Sequence, residues 1–331
     1  MGDAVPVIDV ADFLAGREGA LETVAGEVRD ALTTVGFFVL TGHDLPPALI
    51  ERTFAEARRF HALPMDKKLA LKLNEHVNGY MVMGRYAVRT SDLNNNDKGD
   101  LNEAFFVKRE RAADDPLLSS GRRFVGPNQW PAEADLPGFR ALVLDYCATM
   151  DRFARRFLPA VARALDLPPH WFADAFEDSQ FTCRLSHYPP VAAEANQFGI
   201  APHTDSNFMT FLPQSEVPGL QVRLPGNGSS GDRWLDMPVI PGSFAVNSGD
   251  MLHRWSNGRL KSTPHRALPP VGGDRYAIPF FLGPRFDQQI ECLPTCTGPG
   301  NPPRWPPITY AEWQEYWYDA NYDPEHQRDV A

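Results

Sequence analysis

The chain has 331 residues, of which 43% are hydrophobic and 22% charged, which is enough apolar surface for a folded core and excludes disorder as its main state. The formal net charge is −10, from 32 Lys and Arg against 42 Asp and Glu. This balance disfavours nucleic acid and anionic membranes as partners. The 31 prolines interrupt helices and ladders, and therefore favour a loop-rich, mostly β architecture.

The first part of the chain predicts helices and short strands. Apolar residues recur at helical spacing over 21–34 and 46–61, and Pro64 can start a further short helix. Residues 6–10 and the apolar run 37–40 are expected to be extended. The polar stretch 74–133, which contains the Asn- and Asp-rich segment 94–97, is expected to be a long functional loop region.

The later part changes from helix to strand. Residues 139–165 have helical periodicity, and a second helix is expected around 171–176. After them come short apolar runs between prolines and glycines, at 181–188, 208–212, 219–224, 243–246 and 276–282. Several short strands at this spacing predict a sandwich or barrel. A helix near 310–318 follows. No internal repeat or linker divides the sequence, so one domain, 1–331, is the simplest interpretation.

The cysteines and the N-terminus indicate the compartment. Cys147, Cys183, Cys292 and Cys296 are too few and too scattered for a disulfide framework, although Cys292 and Cys296 could pair or share a metal. Residues 1–10 lack the features of a signal peptide, and no run approaches the ~18 apolar residues of a membrane span. We therefore expect unpaired thiols in a cytoplasmic protein.

A metal-binding pattern precedes one of the predicted strands. In His203-Thr204-Asp205 the imidazole and the carboxylate lie two residues apart, so on an extended backbone both side chains can converge on one point. Two histidines and one carboxylate, with three positions left open, form the arrangement used for non-haem Fe(II) and O2 chemistry. His253 and His265 are the remaining histidines of the β region, and His265 is favoured because extended structure resumes there after the Asn257-Gly258 turn.

Arg275 opens the apolar run 276–281, ten residues after His265. An arginine at the edge of a buried strand can bind a carboxylate with two parallel hydrogen bonds. A metal with open positions and such an arginine suit a 2-oxo dicarboxylic acid. A salt bridge to a neighbouring Asp or Glu is the alternative for an isolated arginine.

At this point the chain resembles the isopenicillin N synthase-like Fe(II)- and 2-oxoglutarate-dependent oxygenases. The resemblance depends on an ordered set of short blocks rather than on any single one: Pro6–Val10, Gly36–Val39 with His43, Phe60–Pro64 with Lys67 and Lys68, Asp100–Phe105, Tyr188–Pro190, His203–Asp205, Gly219–Val222, Asn247–Asp250, Ser256–Gly258, Lys261-Ser262 and His265-Arg266.

The resemblance implies a double-stranded β-helix, or jelly roll, over about 180–285, with an N-terminal helical and strand region over about 1–120. It implies His203, Asp205 and His265 as ligands of Fe(II), with Arg275 and Tyr188 binding 2-oxoglutarate. The implied reaction consumes O2, releases succinate and CO2, and hydroxylates, desaturates or cyclises a small molecule. Asn247, Gly249 and Asp250 are interpreted as turn residues without a catalytic role.

Two positions depart from the family's pattern. Ala277 stands where relatives often have a serine two residues after the arginine, so one hydrogen bond to the co-substrate, worth roughly 0.5–1.5 kcal/mol, is missing or comes from another group. Asn207 stands where a glycine is frequent, and asparagine tolerates the left-handed backbone that such a turn can need.

The substrate is not specified by these motifs. Tyr80, Arg85 and Phe106, with Met81, Met83 and Tyr86 nearby, could line a pocket for a molecule with apolar surface and an anionic group. The alternatives are an Fe(II) oxidase that uses O2 without 2-oxoglutarate, and a non-catalytic metal-binding jelly roll. We expect a monomer or a weak homo-oligomer.

Overall fold

The computed structural model describes residues 4–85, 98–213, 215–224, 226 and 231–321. Its helices are α1 (Ala11–Leu14), α2 (Ala20–Thr34), α3 (Pro47–His61), α4 (Met65–Leu69), α5 (Phe139–Ala164), α6 (Asp250–Trp255) and α7 (Tyr310–Asn321). The first eight strands are β1 (Val7–Asp9), β2 (Phe37–Thr41), β3 (Gly79–Met81), β4 (Glu103–Lys108), β5 (Gln180–Tyr188), β6 (Ile200–His203), β7 (Met209–Pro213) and β8 (Leu220–Leu224). The later strands are β9 (Arg233–Asp236), β10 (Phe244–Ser248), β11 (His265–Ala267), β12 (Arg275–Ala277), β13 (Phe280–Gly283), β14 (Gln289–Ile290) and β15 (Ile308–Thr309).

Two sheets form the β core, as the prediction of a jelly roll requires. The large sheet has the order β1-β2-β10-β7-β13-β5-β4-β3, with β12 also paired to β5. The small sheet has the order β6-β11-β8-β9. Because β2 pairs directly with β10, the N-terminal strands continue the large sheet of the core. Together with the helices, this makes the chain a mixed α/β structure around a jelly roll.

The long helices cover the outer face of the large sheet. In α2 the apolar residues Val24, Val28 and Leu32 are buried, as their spacing predicts, and α5 buries a stripe along its whole length. These side chains pack with the sheet into the main hydrophobic core, while a smaller core lies between the sheets around Val39 and Val222. Burial of this apolar stripe is what holds the helices on the sheet.

Two predicted elements differ from the structure. The helix expected at 171–176 is only a turn of 3-10 helix at Asp174–Phe176, because Phe172 and Phe176 owe their spacing to packing against Phe208 rather than to a regular helix. The strand expected at 276–282 is divided into β12 and β13. Pro279 has no N–H to donate to a ladder, so pairing stops there and resumes at Phe280.

Some elements lie outside the predictions. The polar region holds β3 and β4, which extend the large sheet beyond β5, while the segment 94–97 lies outside the described residues.

All four cysteines are free thiols, as predicted. Within the described part of the chain, every helix is too short or too polar to cross a membrane.

Candidate metal centre and cavity

The residues His203, Asp205 and His265 meet at one end of the small sheet. His203 ends β6 and His265 begins β11, and the two are direct antiparallel partners. The Nε2 atoms of His203 and His265 lie 3.8 and 3.6 Å from Oδ1 of Asp205. Three ligand atoms at these distances can bind a single ion.

Backbone carbonyls orient both imidazoles. Nδ1 of His203 contacts the carbonyl oxygen of Ala201 at 2.8 Å, and Nδ1 of His265 contacts that of Thr263 at 3.2 Å. A carbonyl only accepts, so in each ring Nδ1 is the protonated nitrogen and donates. In the neutral form of each ring, the lone pair of Nε2 then faces Asp205, as in the usual outer-shell arrangement of metal-binding histidines.

The two oxygens of Asp205 have different surroundings. Oδ2 accepts hydrogen bonds from Thr210 Oγ1 at 2.6 Å and from Asn247 Nδ2 at 2.7 Å, whereas Oδ1 faces the histidines. The interpretation of Asn247 as a turn residue is therefore wrong: Asn247 lies within β10 and holds the carboxylate. A polar side chain in the otherwise apolar run 244–247 is the sequence signal that could have identified it.

Asn207 also differs from its expected conformation. Its backbone is not left-handed, and its buried side chain donates to the carbonyl oxygen of Met209 at 2.7 Å. Gly249 approaches closely, since a Cβ there would lie 2.1 Å from the Asn207 carbonyl oxygen. The turn after Asp205 is thus fixed by the Asn207 amide and by the missing side chain of Gly249.

The charges of the three residues are coupled. Burial, together with nearby His265, lowers the pKa of His203 to about 3, so this imidazole is neutral at physiological pH. Burial alone would raise the pKa of Asp205, but the two imidazoles and Asn247 more than offset this and lower it well below its usual range. The carboxylate of Asp205 in turn raises the pKa of His265. Neutral histidines and an ionised carboxylate are the forms that bind a metal, so a protonated His265 must release its proton when the ion binds.

Arg275 is the largest fully buried side chain among the described residues, with 1% of its surface exposed. Its Nε and Nη1 have no hydrogen-bond partner, and its guanidinium lies 4.7 Å from the ring centre of Tyr188, its partner across the strands. Among the described residues, no carboxylate lies within ion-pair distance, so the salt-bridge alternative is not supported. A buried, unpaired guanidinium is strongly unfavourable without an anionic partner, and therefore fits the carboxylate of a co-substrate.

Ala277 and Ser186 lie directly opposite each other on β12 and β5. Ala277 is 2% exposed, and the hydroxyl of Ser186 is buried without a partner. Ala277 lies two residues after Arg275 on β12, and Ser186 lies two residues before Tyr188 on β5. Since side chains alternate between the two faces of a strand, all four belong to one face of the paired strands. Ser186 can thus place a hydroxyl close to the position where relatives have a serine.

A large cavity borders His203 and Asp205 of the candidate metal centre. Phe106 lines it, as predicted, together with Met81. Tyr80 does not: it is 1% exposed in the main core, and its hydroxyl donates to Glu103. Arg85 is exposed and does not line the cavity. The basic and aromatic residues that line it were not among those predicted: Lys108, Arg109, Arg111, Phe124, Phe181, Arg184, Phe281, Phe286, Tyr310, Trp317 and Tyr318.

A second group of potential ligands joins α3, β4 and β5 through His61, Glu103 and His187. Glu103 already accepts from Lys68 Nζ at 2.9 Å and from His187 Nδ1 at 2.8 Å. A bound ammonium group repels a metal cation, so this group is a buried polar network rather than a metal site.

The jelly roll, its His-Asp-His cluster and the unpaired buried arginine together define a non-haem Fe(II) oxygenase that uses 2-oxoglutarate. The chain belongs to the 2OG-Fe(II) oxygenase superfamily, whose family model matches residues 178–284. The family model described as "non-haem dioxygenase in morphine synthesis N-terminal" matches residues 5–133. It is a 2-oxoglutarate-dependent dioxygenase that oxidises a small molecule, with Fe(II) and 2-oxoglutarate as its cofactors.

Three relatives illustrate this membership. The chain is 34% identical to the 2-oxoglutarate-Fe(II) type oxidoreductase hxnY of Emericella nidulans, over 96% of this chain and 90% of that protein. It is 34% identical to the 2-oxoglutarate-dependent dioxygenase citB of Monascus ruber, over 87% of each. The crystal structure of a full-length Neurospora crassa protein in complex with alpha-KG superposes with a TM-score of 0.80 at 27% identity, covering 99% of this chain and 96% of that one.

Proposed function

We propose that His203, Asp205 and His265 bind one Fe(II), and that Arg275, Tyr188 and Ser186 bind 2-oxoglutarate beside it. The observation that carries the proposal is the pair of unpartnered guanidinium nitrogens of Arg275, buried near a cluster of three ligand atoms. A structural metal site has no use for a buried anion-binding group. This favours the 2-oxoglutarate-dependent reaction over the oxidase and over the non-catalytic protein.

Each residue has a definite task in this proposal. Fe(II), when bound with 2-oxoglutarate, supplies the activation of O2 that oxidises the substrate and yields succinate and CO2. Asp205 contributes Oδ1 to the metal because Thr210 and Asn247 occupy Oδ2. Arg275 orients the distant carboxylate of 2-oxoglutarate, and the ring of Tyr188 excludes water from that contact.

The substrate enters the cavity that borders His203 and Asp205, with Phe106 in its wall. We propose that residues 1–331 act as one oxygenase domain, since N-terminal and C-terminal strands share the large sheet. We also propose a cytoplasmic monomer or weak homo-oligomer, for which light scattering on a size-exclusion column gives the mass. A stable oligomer at micromolar concentration contradicts that last point.

Anaerobic titration tests the proposal directly. With one Fe(II) per chain, 2-oxoglutarate is expected to give a visible metal-to-ligand charge-transfer band, and Arg275→Ala is expected to weaken 2-oxoglutarate binding at least a hundredfold. Arg140→Gln, which removes an exposed arginine paired with Glu110, is the charge-matched control. A full-length protein that binds iron but forms no band with 2-oxoglutarate contradicts the proposed co-substrate site.

A further inference from the structure

Four basic side chains border the cavity beside the metal centre: Lys108, Arg109, Arg111 and Arg184. Two of them already have acidic partners. Arg109 Nη2 lies 3.0 Å from Asp151 Oδ2, and Arg111 bridges Asp115 and Asp178 at 2.8 and 2.9 Å. In the described part of the chain, no carboxylate lies within ion-pair distance of Lys108 or Arg184. The cavity therefore has two basic groups without an ion-pair partner.

Arg184 lies on β5, where its partner across to β4 is Phe106. Its guanidinium is 5.2 Å from the ring centre of Phe106, its Nη2 donates to the side-chain oxygen of Asn102, and its buried Nε has no partner. Arg184 lines the same cavity as His203 and Asp205, so a molecule held by its guanidinium lies in the space beside the candidate metal centre.

Lys108 shares this face of the sheet with Arg184. Since Lys108 pairs with Thr182, it is the diagonal neighbour of Arg184, at about 7–8 Å between backbones, which long side chains can span. Its Nζ has only one hydrogen bond, a 3.4 Å contact with the Phe124 carbonyl oxygen. Burial without a counter-ion lowers the pKa of Lys108 to about 7.

Asp100 is the acidic group of this cavity apart from Asp205. It accepts a 2.9 Å hydrogen bond from the backbone N–H of Ala201. Burial raises the pKa of Asp100 to about 7, so its charge compensates only partly for Arg184. The remainder of the lining near Arg184 is apolar and aromatic, including Phe106, Phe181 and Phe281.

Arg184 is separate from the proposed co-substrate site. It is four residues from Tyr188 on the same strand, a distance of about 13 Å at 3.3 Å per residue. Neither Tyr188 nor Arg275 is among the residues that line the cavity. Arg184 on β5 and Arg275 on β12, which pairs with Tyr188, are thus two different anion-binding positions, and we assign the far carboxylate of 2-oxoglutarate to Arg275.

We propose that the substrate is a small carboxylate with an apolar, preferably aromatic body, whose carboxylate binds Arg184 with help from Lys108. This inference rests on the proposed function, because the metal centre at the end of the cavity must oxidise the bound molecule. The aromatic wall holds the apolar body, and the fixed carboxylate determines which C–H bond faces the metal.

Binding of matched acids and amides tests the charge requirement. The probes are benzoate, phenylacetate and 3-phenylpropionate, each compared with its neutral amide by anaerobic calorimetry on the protein loaded with Fe(II) and 2-oxoglutarate. We expect at least one acid to bind tenfold or more tightly than its amide. Equal affinity within all three pairs, including the case in which no probe binds below 10 mM, overturns the inference.

Variants locate the effect. Arg184→Gln is expected to reduce the acid preference to less than twofold, Arg184→Lys to retain at least threefold, and the control Arg140→Gln to retain all of it. The affinity for 2-oxoglutarate is expected to stay within twofold in Arg184→Gln. A tenfold loss of 2-oxoglutarate affinity with unchanged probe binding would assign Arg184 to the co-substrate and overturn the inference.

The two proposals fail in different ways. If the proposed function is wrong, the unmutated protein forms no charge-transfer band with Fe(II) and 2-oxoglutarate. If only the substrate inference is wrong, that band forms and the acids still bind no better than their amides.

Discussion

Asp205 illustrates how single atoms are assigned at the residue scale. Its Oδ2 is occupied by Thr210 and Asn247, and its Oδ1 is left facing two imidazoles whose Nδ1 atoms donate to backbone carbonyls. A carboxylate with one fixed oxygen cannot rotate without breaking both hydrogen bonds. The cluster is therefore organised before a metal arrives, which reduces the entropy lost on binding.

Replacing Asn247 tests this organisation. Asn247→Ala removes one of the two donors to Oδ2, so Fe(II) affinity is expected to fall 10–100-fold, the usual effect of losing an outer-shell partner. A competition titration with a fluorescent chelator measures it. Ser243→Ala, which loses a hydrogen bond to the Ile240 carbonyl oxygen near the start of the same strand, is the control and should keep full affinity.

His265 and His253 are the two candidates for the third ligand. His265→Ala is expected to abolish stoichiometric Fe(II) binding, because it removes one of three ligand atoms. His253→Ala is expected to retain it, since His253 lies on α6 with Nδ1 on the Leu260 carbonyl oxygen and its ring near Trp305. Loss of metal in the His253 variant, with an intact circular dichroism spectrum, would show that the ligand set is wrong.

The pair Ala277 and Ser186 gives a further prediction. If Ser186 supplies the hydroxyl that relatives place after the arginine, Ser186→Ala should weaken 2-oxoglutarate binding about 2–10-fold, equivalent to roughly 0.5–1.5 kcal/mol. Ala277→Ser in that background should restore it from across the strand pair. Unchanged affinity in Ser186→Ala, measured by the charge-transfer band, contradicts this assignment.

At the scale of elements, a polar network joins four segments behind the co-substrate site. Glu103 on β4 binds Lys68 on α4 and His187 on β5, and His187 Nε2 contacts Asp274 Oδ1 at 2.7 Å just before β12. The ring of His187 stacks on Tyr276 with centres 4.8 Å apart. The network therefore fixes β12, and with it Arg275, against β5.

Protonation of His187 should stabilise this arrangement. Burial lowers the pKa of His187, but the hydrogen bonds to Glu103 and Asp274 more than offset this, so the folded-state pKa is raised above 6.5. A raised pKa gives stability that is fully present below pH 6.5 and is lost as the pH rises through the folded value. His61 and Lys68 also face Glu103 and limit the effect.

We therefore expect His187→Gln to lower the free energy of unfolding more at pH 6 than at pH 8.5. Urea denaturation at both pH values measures the difference, and His170→Gln, a replacement at an exposed position, serves as the control. An equal loss at the two pH values would mean that the protonated form of His187 contributes nothing.

For the whole molecule, the fold and the convergence of His203 and Asp205 could be predicted because they depend on local patterns. The spacing of Val24, Val28 and Leu32 and the alternation of His203 and Asp205 are each contained within a few residues. By contrast, the donor Asn247 and the cation Arg184 act through strand registers that join distant segments. Arg85 and Arg184 have the same side chain, but the pairing of Arg184 with Phe106 places it at the cavity, whereas Arg85 is exposed after β3.

The two proposed ligand sites belong to different sheets. His203 and His265 lie on β6 and β11 of the small sheet, whereas Arg275 and Tyr188 lie on β12 and β5 of the large sheet. Metal and 2-oxoglutarate together therefore connect the sheets. At 100 times Kd, 2-oxoglutarate stabilises the folded state by about 2.7 kcal/mol. For a chain of this size the expected rise in Tm is about 4 °C.

Mn(II), which binds the same ligand types as Fe(II), allows this to be measured in air by thermal melts with each ligand added in turn. Arg275→Ala should keep the increment from the metal and lose the increment from 2-oxoglutarate, because only the contact to the large sheet is removed. His265→Ala should lose both, since the co-substrate also needs the metal. If 2-oxoglutarate raised Tm equally with and without Mn(II), it would bind away from the metal. The proposal that Arg275 holds a co-substrate that also contacts the metal would then be wrong.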